Sequence, residues 1–345
     1  MKKEIRVKLN DFRGESLKDD FLPIRVLKDN FNMKIVKSMR KSNIIIGTID
    51  RSSKYNLLKE NKNKYILISG EDLFIKRNIF NLIESFFHKI FKDKKYKIMD
   101  KIDSIIPKFI LQLPIFYFFP RYVKFIERVR NGKIKNGYGI IQNDIRCKKI
   151  FIIPYFLNLF YYKMPELIKK HSYGLKNKKK FCAFVVSSNS SRERIDFFKK
   201  LSKYKKVDSY GKVLNNMGDK IFKTSWHYTH SQIFRDYKFI ICFENNFTKE
   251  YITEKLPNAM FSGSIPIYRG APNVGDYFNT KSFINYDDYG SYDKMIEKII
   301  ELDQDDNKYL EFSKQPWFKN NKIPEIIKTK EKDLIEFYKK VFRGI

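Results

Sequence analysis

The stretch from Phe243 to Gly270 constrains the fold of this chain more than any other part of the sequence. Phe243 ends an apolar run of strand length, and a second apolar run starts at Ser264, after a polar loop and a helical segment. Three apolar residues of that segment share one helix face: Leu256, Ala259 and Met260. Thr253 is expected to cap this helix, and Gly263 is expected to end it. The pattern predicts a strand–loop–helix–strand unit of an α/β fold.

Two charged residues, Glu254 and Lys255, stand at the predicted start of that helix. They are therefore expected above the carboxyl end of the preceding strand, where open α/β sheets bind their ligands. A helix start also favours phosphate, because its free N–H groups and its dipole attract anions. The dipole slightly disfavours a lysine there, so Lys255 is a mild indication that an anion binds nearby. The alternative is an exposed helix start without a ligand.

The rest of the chain also alternates strands and helices, which predicts parallel α/β architecture. Other candidate strands start at Ile5, Met33, Asn43, Tyr65, Ile150, Phe181 and Val207. A length of 345 residues suggests two domains. The polar and basic stretch His171–Lys180 is predicted to separate them. We expect domains at residues 1–170 and 171–310, followed by a C-terminal helical tail at 311–345.

The charge of the chain restricts its partners. It has 70 Lys and Arg against 39 Asp and Glu, a formal net charge of +31. Such an excess favours an anionic partner, which is a nucleotide, a nucleic acid or an acidic membrane surface. Because the lysines are spread through the whole sequence, a general drift of composition explains more of the charge. Nucleic-acid signatures, a GxxxxGK[ST] loop and a GxGxxG sequence are all absent, which argues against the corresponding binding proteins and enzymes.

Cysteine usage and hydropathy indicate the compartment. The three cysteines are Cys147, Cys182 and Cys242, whose odd number and wide spacing fit a reducing environment. The N-terminus lacks the apolar region of a signal peptide, and the longest apolar run is too short to cross a membrane. We expect a cytoplasmic protein. Its tail, Glu325–Ile345, has the pattern of a basic amphipathic helix, which either contacts an anionic inner membrane or packs on the domain interface.

Two patterns have the spacing of metal ligands, and neither is expected to bind a metal. Asp303 and Asp305 have the DxD spacing of many sugar transferases, but they follow a helix instead of a strand. A solvated acidic loop is the expectation there. His227 and His230 are three residues apart and lack a carboxylate or cysteine partner nearby in the sequence, which favours a structural or ligand-packing role over zinc.

The opening stretch and its flanks carry a longer pattern at fixed spacing. It comprises Phe243-Glu244-Asn245, Tyr251-Ile252-Thr253-Glu254-Lys255, Asn258-Ala259, Gly263-Ser264-Ile265-Pro266-Ile267-Tyr268, Gly270 and Lys281-Ser282-Phe283-Ile284. Upstream it includes Ser187-Ser188-Asn189 with Arg194, and Val207-Asp208-Ser209-Tyr210-Gly211 with Leu214-Asn215-Asn216. This pattern resembles the donor-site signature of the α-1,3-fucosyltransferases, glycosyltransferase family 10, in their bacterial form. The resemblance is extensive from Phe181 to Asp288 and faint from Ile5 to Tyr122.

The resemblance implies both a fold and a reaction. The fold is the GT-B arrangement of two Rossmann-like domains facing a cleft, with GDP-fucose in the C-terminal domain and the acceptor at the N-terminal one. The reaction is an inverting transfer of L-fucose from GDP-β-L-fucose to a hydroxyl of an N-acetylglucosamine or glucose unit, in a glycan acceptor such as lipopolysaccharide. On this interpretation no metal is required, and stimulation by a divalent metal is left open.

The resemblance also assigns residues to the donor. The leaving GDP gains negative charge, so the reaction needs cations aimed at the diphosphate. By resemblance these are Arg194 and Lys255, and a guanidinium fork suits phosphate oxygens; Arg192 is the alternative arginine. Glu254 resembles the family's donor-binding glutamate, with its carboxylate on the ribose hydroxyls or near the developing sugar cation. Two further residues complete the predicted donor contacts: Asn245 and Tyr251.

The acceptor hydroxyl needs a base, which the donor stretch does not supply. Glu71 follows the apolar run Tyr65–Ile68 through Ser69-Gly70, so it is expected on a loop at the carboxyl end of a strand, facing the cleft. It resembles the family's catalytic base. Asp72 is the neighbouring alternative, and an exposed loop carboxylate without a role is the other interpretation.

Two other functions stay open on the sequence. One is a GT-B enzyme that uses another nucleotide sugar. The other is a non-catalytic basic protein that binds a membrane or nucleic acid through its charge.

Overall fold

The structure is a computed structural model. It describes residues 4–10, 21–38, 41–48, 64–69, 129–131, 137–141, 147–169, 178–186, 191–218 and 234–343. Within these ranges the chain forms two parallel sheets.

The first sheet belongs to the N-terminal half. Its strands are β1 (Ile5–Asn10), β2 (Met33–Ile35), β3 (Ile44–Thr48), β4 (Lys64–Ser69), β5 (Gly137–Ile141) and β6 (Ile150–Ile152). They lie in the order β2-β1-β3-β4-β5-β6. Ile44, Ile45 and Ile46 are buried one after another, as expected of a parallel strand covered on both faces. Helix α1 (Leu22–Asn30) follows β1, and α2 (Tyr155–Phe160) and α3 (Met164–Lys169) follow β6.

The second sheet belongs to the C-terminal half. Its strands are β7 (Lys180–Phe184), β8 (Val207–Ser209), β9 (Tyr237–Phe243), β10 (Ile265–Arg269) and β11 (Ile284–Asn285), in the order β11-β10-β9-β7-β8. The helices between and after them are α4 (Arg192–Leu201), α5 (Lys255–Phe261), α6 (Tyr286–Tyr289), α7 (Tyr292–Gln304), α8 (Asp306–Ser313) and α9 (Glu325–Phe342). Phe239, Ile241 and Phe243 of β9 pack on α4 and α7, whereas Ile240 and Cys242 pack with α5. Helices thus cover both faces of this sheet.

The strand order creates a switch point between β7 and β9. After β7 the chain moves outward to β8, and after β9 it moves the opposite way to β10. The two connections diverge above neighbouring strands, and they leave a crevice at the carboxyl ends of those strands. Crevices of this kind are where doubly wound sheets bind ligands.

The two halves share one apolar core. The rings of Phe160 in α2 and Phe261 in α5 are stacked with centroids 5.5 Å apart, and Phe156 lies 5.0 Å from Phe278. The Phe156 amide also donates to the Ile252 carbonyl at 3.1 Å. Helix α2 therefore links the first sheet directly to the loop that follows β9.

The C-terminal helix α9 packs on the N-terminal half. Its buried residues are Ile327, Leu334, Phe337, Tyr338 and Val341. The Tyr338 hydroxyl donates to the Pro23 carbonyl in α1 at 2.9 Å, and Lys330 Nζ donates to the Ile152 carbonyl at 3.1 Å. The apolar face of the amphipathic pattern is thus covered by the N-terminal half, whereas the sequence offered a membrane surface or the domain interface. Within the described part of the chain, no helix has the length and hydropathy of a membrane span.

The sequence predicted the order of strands and helices well, and the boundaries between domains stay predictions. The stretch 170–177, which contains the first predicted boundary, lies outside the described residues. Two further elements that the sequence indicates also lie outside the described residues: a helix at 79–91, where apolar residues have helical spacing, and a buried apolar run at 109–119.

Lys178 gives the fold a predicted pH dependence. Its side chain is buried, and Nζ donates to the Ser262 carbonyl and to Ser264 Oγ, each at 3.0 Å, just after α5. Burial lowers the pKa of Lys178 to about 7, and Asp236 only partly opposes this. The unfolded chain keeps this proton up to its ordinary pKa of 10.5, so between pH 7 and 10.5 unfolding takes up a proton. The Lys178 contribution to the free energy of unfolding should therefore rise with pH by up to ~1.4 kcal/mol per pH unit.

The measurement is urea unfolding of the wild type, Lys178→Met and Lys179→Met at pH 7, 8 and 9. Lys179 is exposed and serves as the matched control. The wild type and the Lys179 variant should gain free energy of unfolding relative to Lys178→Met as the pH rises. Parallel curves for all three proteins would contradict the prediction.

Candidate functional site

Arg194 is the first component of the crevice between β7 and β9. It lies in the first turn of α4, the helix that follows β7, and only 1% of its surface is exposed. Its Nη1 donates to Asn245 Oδ1 at 2.6 Å, just beyond the end of β9. Burial lowers the pKa of Arg194 to about 10, while Tyr251 and Glu244 act in the opposite direction. The guanidinium therefore stays charged at neutral pH.

The alternative arginine points elsewhere. Arg192 is largely exposed, and its Nε lies 3.7 Å from Asp196, one turn further along the same helix. The helix period separates the two side chains, because residues two apart do not share a helix face. Of the two arginines, Arg194 is the one that belongs to the crevice.

Lys255 is the second cation, and a buried carboxylate holds it. Its Nζ lies 2.9 Å from Glu244 Oε2 and 2.8 Å from Thr253 Oγ1. The Glu244 side chain is fully buried, whereas 21% of the Lys255 side chain is exposed. The Thr253 amide and hydroxyl donate to the same carboxylate at 2.7 Å and 2.8 Å. The Glu244 carboxylate thus accepts hydrogen bonds from Thr253 and Lys255, and it fixes the Lys255 ammonium group at the crevice.

The electrostatics of this pair follow from its burial. Burial raises the pKa of the Glu244 carboxyl, and the Lys255 ammonium limits the rise. Burial also disfavours the Lys255 ammonium, but the Glu244 and Glu254 carboxylates outweigh it and raise the pKa of Lys255. Arg194 acts on Lys255 in the opposite sense, which places both cations in one electrostatic environment.

The glycine after β10 makes room for the buried carboxylate. A Cβ atom on Gly270 would lie 2.8 Å from Glu244 Cγ and 2.2 Å from the Tyr268 hydroxyl. Even alanine would therefore displace either the carboxylate or the tyrosine. Gly270, which the sequence pattern included without a role, allows the close approach of β10 to Glu244.

Thr253 differs from its expected role. We expected it to cap the helix, but the residue before the helix is Glu254, and neither of them makes a side-chain cap. The Thr253 hydroxyl instead donates to Glu244 and accepts from Lys255. A buried ionised carboxylate needs several donors, so this contact outweighs a helix cap. Because α5 has only seven residues, the charge at this position comes from the Lys255 side chain more than from the helix dipole.

The remaining predicted donor residues lie close to the pair. Glu254 Oε1 is 4.0 Å from Lys255 Nζ, and 19% of the Glu254 side chain is exposed. Tyr251 is buried and interacts electrostatically with Arg194. The structure thus brings together all five residues predicted to bind the donor. Their roles remain predictions, and the predicted base Glu71, with Asp72, lies outside the described residues.

Sequence reasoning missed the role of Glu244. The signal was present: a glutamate directly continues the apolar run of β9, where a carboxylate is buried only if it has a partner. That partner, Lys255, is on the next helix, and the sequence did not reveal the contact.

Arg269 is a third cation at the same sheet edge. Its guanidinium carbon lies 4.4 Å from the ring centroid of Phe247 and 4.1 Å from that of Tyr286. Its Nη1 also donates to the Tyr292 hydroxyl. Because both rings stack on the guanidinium, Arg269 fixes the first part of the loop after β9 against α6 and α7.

In the acidic pattern near the end of α7, both carboxylates have structural partners. The Asp303 carboxylate is buried and pairs with Lys205 at 2.9 Å and with Lys238 at 3.5 Å, so the expectation of a solvated acidic loop was wrong there. Asp305 caps α8 through its side chain. His227 and His230 lie outside the described residues. Among the residues that the structure does describe, no His, Cys, Asp or Glu group is arranged to hold a metal ion.

Comparison with known proteins identifies the family. Residues 175–340 match the family model described as glycosyltransferase family 10 (fucosyltransferase) C-term. The C-terminal half of this chain belongs to glycosyltransferase family 10. The resemblance seen in the sequence is thereby confirmed, and the crevice with Arg194, Asn245 and Lys255 lies inside the matched family region.

Two curated relatives show how far the similarity extends. The α-(1,3)-fucosyltransferase FucT of Helicobacter pylori is 36% identical over 134 residues, which is 39% of this chain and 27% of that protein. The 4-galactosyl-N-acetylglucosaminide 3-α-L-fucosyltransferase 9 of Bos taurus is 33% identical over 139 residues, 39% of this chain and 37% of the relative. The similarity in sequence thus spans well under half of either relative.

A solved structure extends the likeness to the whole fold. An α1,3-fucosyltransferase crystallised with GDP-fucose aligns with a TM-score of 0.60 at 19% identity, covering 99% of this chain and 91% of that chain. The predicted fold class is confirmed: the chain is an α/β protein with the GT-B arrangement of two Rossmann-like halves.

Proposed function

We propose that this family 10 protein is an inverting α-1,3-fucosyltransferase. It transfers L-fucose from GDP-β-L-fucose to a hydroxyl of an N-acetylglucosamine or glucose unit in a glycan such as lipopolysaccharide. The observation that carries the proposal is the pair of cations at the switch point: Arg194, which is bound to Asn245, and Lys255, which is held by the buried Glu244. The names of the two relatives support fucose transfer with an α-1,3 linkage, and the α1,3-fucosyltransferase crystallised with GDP-fucose supports the donor.

The chemistry requires charge stabilisation at the leaving group. When the acceptor oxygen attacks the anomeric carbon, the bond between that carbon and the phosphate oxygen breaks, and GDP leaves with an additional negative charge. Arg194 and Lys255 are fixed before the donor binds, so stabilising this charge costs little reorganisation. On this proposal the two side chains supply the positive charge and no metal is required; stimulation by a divalent metal is tested by adding Mg²⁺ or EDTA.

The other donor residues bind and orient the nucleotide sugar. We assign Glu254, the more exposed of the two carboxylates beside Lys255, to the ribose. Its carboxylate can accept hydrogen bonds from both ribose hydroxyls. Asn245 and Tyr251 flank Arg194 and orient its fork toward the diphosphate. Glu71 is proposed as the base that takes the proton of the acceptor hydroxyl from the side opposite the leaving GDP, which gives inversion.

The most direct experiment is incubation with GDP-fucose and a panel of glycans, with products identified by mass. Addition of one deoxyhexose is the expected result. Thermal shifts with GDP-fucose, GDP-mannose and UDP-galactose separate this proposal from a transferase of another sugar. Salt-sensitive polyanion binding without stabilisation by any nucleotide sugar would indicate a non-catalytic basic protein instead.

Arg194→Ala is expected to lower kcat/KM for GDP-fucose by about 100-fold or more, because it removes one charged donor from the leaving group. Arg192→Ala is the matched control, since Arg192 lies in the same helical turn but faces solvent. The control should retain activity within about twofold, as expected of a surface substitution. If both variants are folded by circular dichroism and lose activity equally, Arg194 has no specific role in binding the donor.

We also infer a cytoplasmic location, in peripheral contact with an anionic inner membrane. Cys147, Cys182 and Cys242 are free, which supports a reducing compartment. Because the apolar face of α9 is buried, any contact with lipid is electrostatic and involves exposed residues such as Lys339 and Lys340. Co-sedimentation with phosphatidylglycerol vesicles that disappears in high salt is the expected result, and its absence would contradict the contact.

A further inference from the structure

Glu250, immediately before the donor residue Tyr251, has an unusual backbone. Its φ is +68°, in the left-handed region that L residues with a side chain rarely adopt. Glu250 is also buried, with 9% of its surface exposed. A buried carboxylate on a left-handed residue persists only where the surrounding contacts determine it.

One residue, Asn273, holds both the backbone and the side chain of Glu250. Asn273 Oδ1 accepts from the Glu250 amide at 3.0 Å, and Asn273 Nδ2 donates to Glu250 Oε1 at 2.9 Å. The Tyr277 hydroxyl donates to the other carboxylate oxygen. Asn273 and Tyr277 flank a short 3-10 helix, Val274–Asp276, beyond β10. Glu250 is therefore attached to a second segment of the C-terminal half at three atoms.

The left-handed turn at Glu250 directs the chain into the crevice. The Ile252 amide donates to the Glu250 carbonyl at 3.0 Å, which closes a tight turn around Tyr251. The residues that follow are Thr253, which donates to Glu244, and Glu254, which precedes α5. The positions of Tyr251 and Glu254 therefore depend on the turn that Glu250 sets.

The N-terminal half contacts the same turn. The Phe156 amide of α2 donates to the Ile252 carbonyl at 3.1 Å. Lys330 of α9 donates to the Ile152 carbonyl at 3.1 Å. Burial lowers the pKa of Lys330, and the Glu250 carboxylate acts in the opposite direction. The turn is thus fixed between the two halves of the protein.

We infer that Glu250, through Asn273 and Tyr277, is a positioning residue for the nucleotide sugar. It places Tyr251 and Glu254 in the crevice without touching the donor itself. The inference rests on the proposed GDP-fucose site and adds the group that sets its geometry. Because the Phe156 amide of α2 binds this turn at the Ile252 carbonyl, the donor site has its geometry only when both halves are packed together.

Three substitutions at Glu250 separate the possible causes. Glu250→Gly accepts the left-handed backbone and loses the carboxylate, whereas Glu250→Ala loses the carboxylate and also disfavours that backbone. Glu250→Gln keeps both side-chain contacts, because its oxygen can accept from Asn273 and its amide can donate to the Tyr277 oxygen. Glu297→Gln on α7 is the control, since Glu297 is exposed and lies outside the site.

The readouts are the Kd for GDP by calorimetry, KM and kcat for GDP-fucose, and Tm. The Gly and Ala variants should bind GDP about 10-fold or more weakly and show a raised KM, because a small misplacement of binding groups is costly. The Gln variant and the control should bind GDP within about twofold of the wild type. A change this small is typical of a substitution on the protein surface.

Each other outcome counts against the inference. A lower Tm with an unchanged Kd in the Gly and Ala variants would show a structural role only. Wild-type binding by the Gly variant alone would assign the effect to the backbone and not to the carboxylate. A Gln variant as weak as Gly would exclude the hydrogen-bonded contacts as the cause. Failure of the wild type to bind GDP would instead reject the proposed function itself.

Discussion

Glu244→Gln is expected to lower the free energy of unfolding by ~3–5 kcal/mol, because it leaves the Lys255 ammonium without its anion in a buried site. The amide of glutamine would also place an N–H donor opposite Lys255 Nζ, which now lies 2.9 Å from a carboxylate oxygen. A loss of this size should reduce Tm by on the order of 10 °C, measured by calorimetry. GDP should no longer stabilise the variant, since Lys255 is no longer held at the crevice.

A double variant separates stability from binding. Glu244→Gln combined with Lys255→Met removes both charges, and replacing a whole buried ion pair is often close to neutral. We expect most of the lost Tm to return while stabilisation by GDP stays absent. Glu297→Gln is again the control and should match the wild type in both measurements. If the double variant binds GDP as the wild type does, Lys255 does not contact the diphosphate.

Glu71→Gln is expected to reduce transfer by ~10²–10⁴-fold and to leave the Kd for GDP-fucose unchanged, because a neutral amide cannot take the acceptor proton. Glutamine keeps the size and the hydrogen-bonding oxygen of the side chain, so a loss of binding is not expected. Single-turnover transfer and calorimetry with GDP-fucose measure the two effects separately.

Asp72→Asn is the matched control for this substitution. It removes the neighbouring carboxylate of the same loop sequence and should retain most activity. The reverse result, with Asp72→Asn inactive and Glu71→Gln active, would transfer the role of base to Asp72. Loss of donor binding in Glu71→Gln would place Glu71 in the donor site instead.

The sequence was sufficient for the elements of the fold because their patterns are local. The apolar run at Ile240 became β9, and the helical spacing after Thr253 became α5, with Gly263 at positive φ just beyond it. The order of strands in the sheet is not local. That β7 and β9 are neighbours, although β8 lies between them in the chain, results from packing of the whole domain. The switch point at the crevice therefore required the structure.

The candidate site was predicted in its residues but not in its internal contacts. Arg194 and Asn245 were assigned separately to the donor, and their direct hydrogen bond at 2.6 Å was not foreseen. Lys255 was interpreted as a sign of a bound anion, and its ion pair with Glu244 inside the protein was not foreseen. Contacts between two side chains depend on the directions in which both point. From a single sequence these directions can be inferred only from the helix and strand periods.

The amphipathic tail shows the same limit. Its pattern predicted an apolar face but not what covers that face, so a membrane and a protein surface were equally acceptable. The structure places α1 and the first sheet against it, through contacts such as that of Tyr338 with Pro23. An amphipathic pattern identifies a surface that must be buried and leaves its partner open.

The position of α9 has a consequence for how the protein is made. The last helix in the sequence completes the core of the half that is synthesised first, through Leu334, Phe337 and Val341. A ribosome that has released residues 1–310 has therefore not yet supplied the side chains that cover this core. The N-terminal half therefore does not correspond to one continuous stretch of chain, and a fragment cut between the two sheets would separate it from α9.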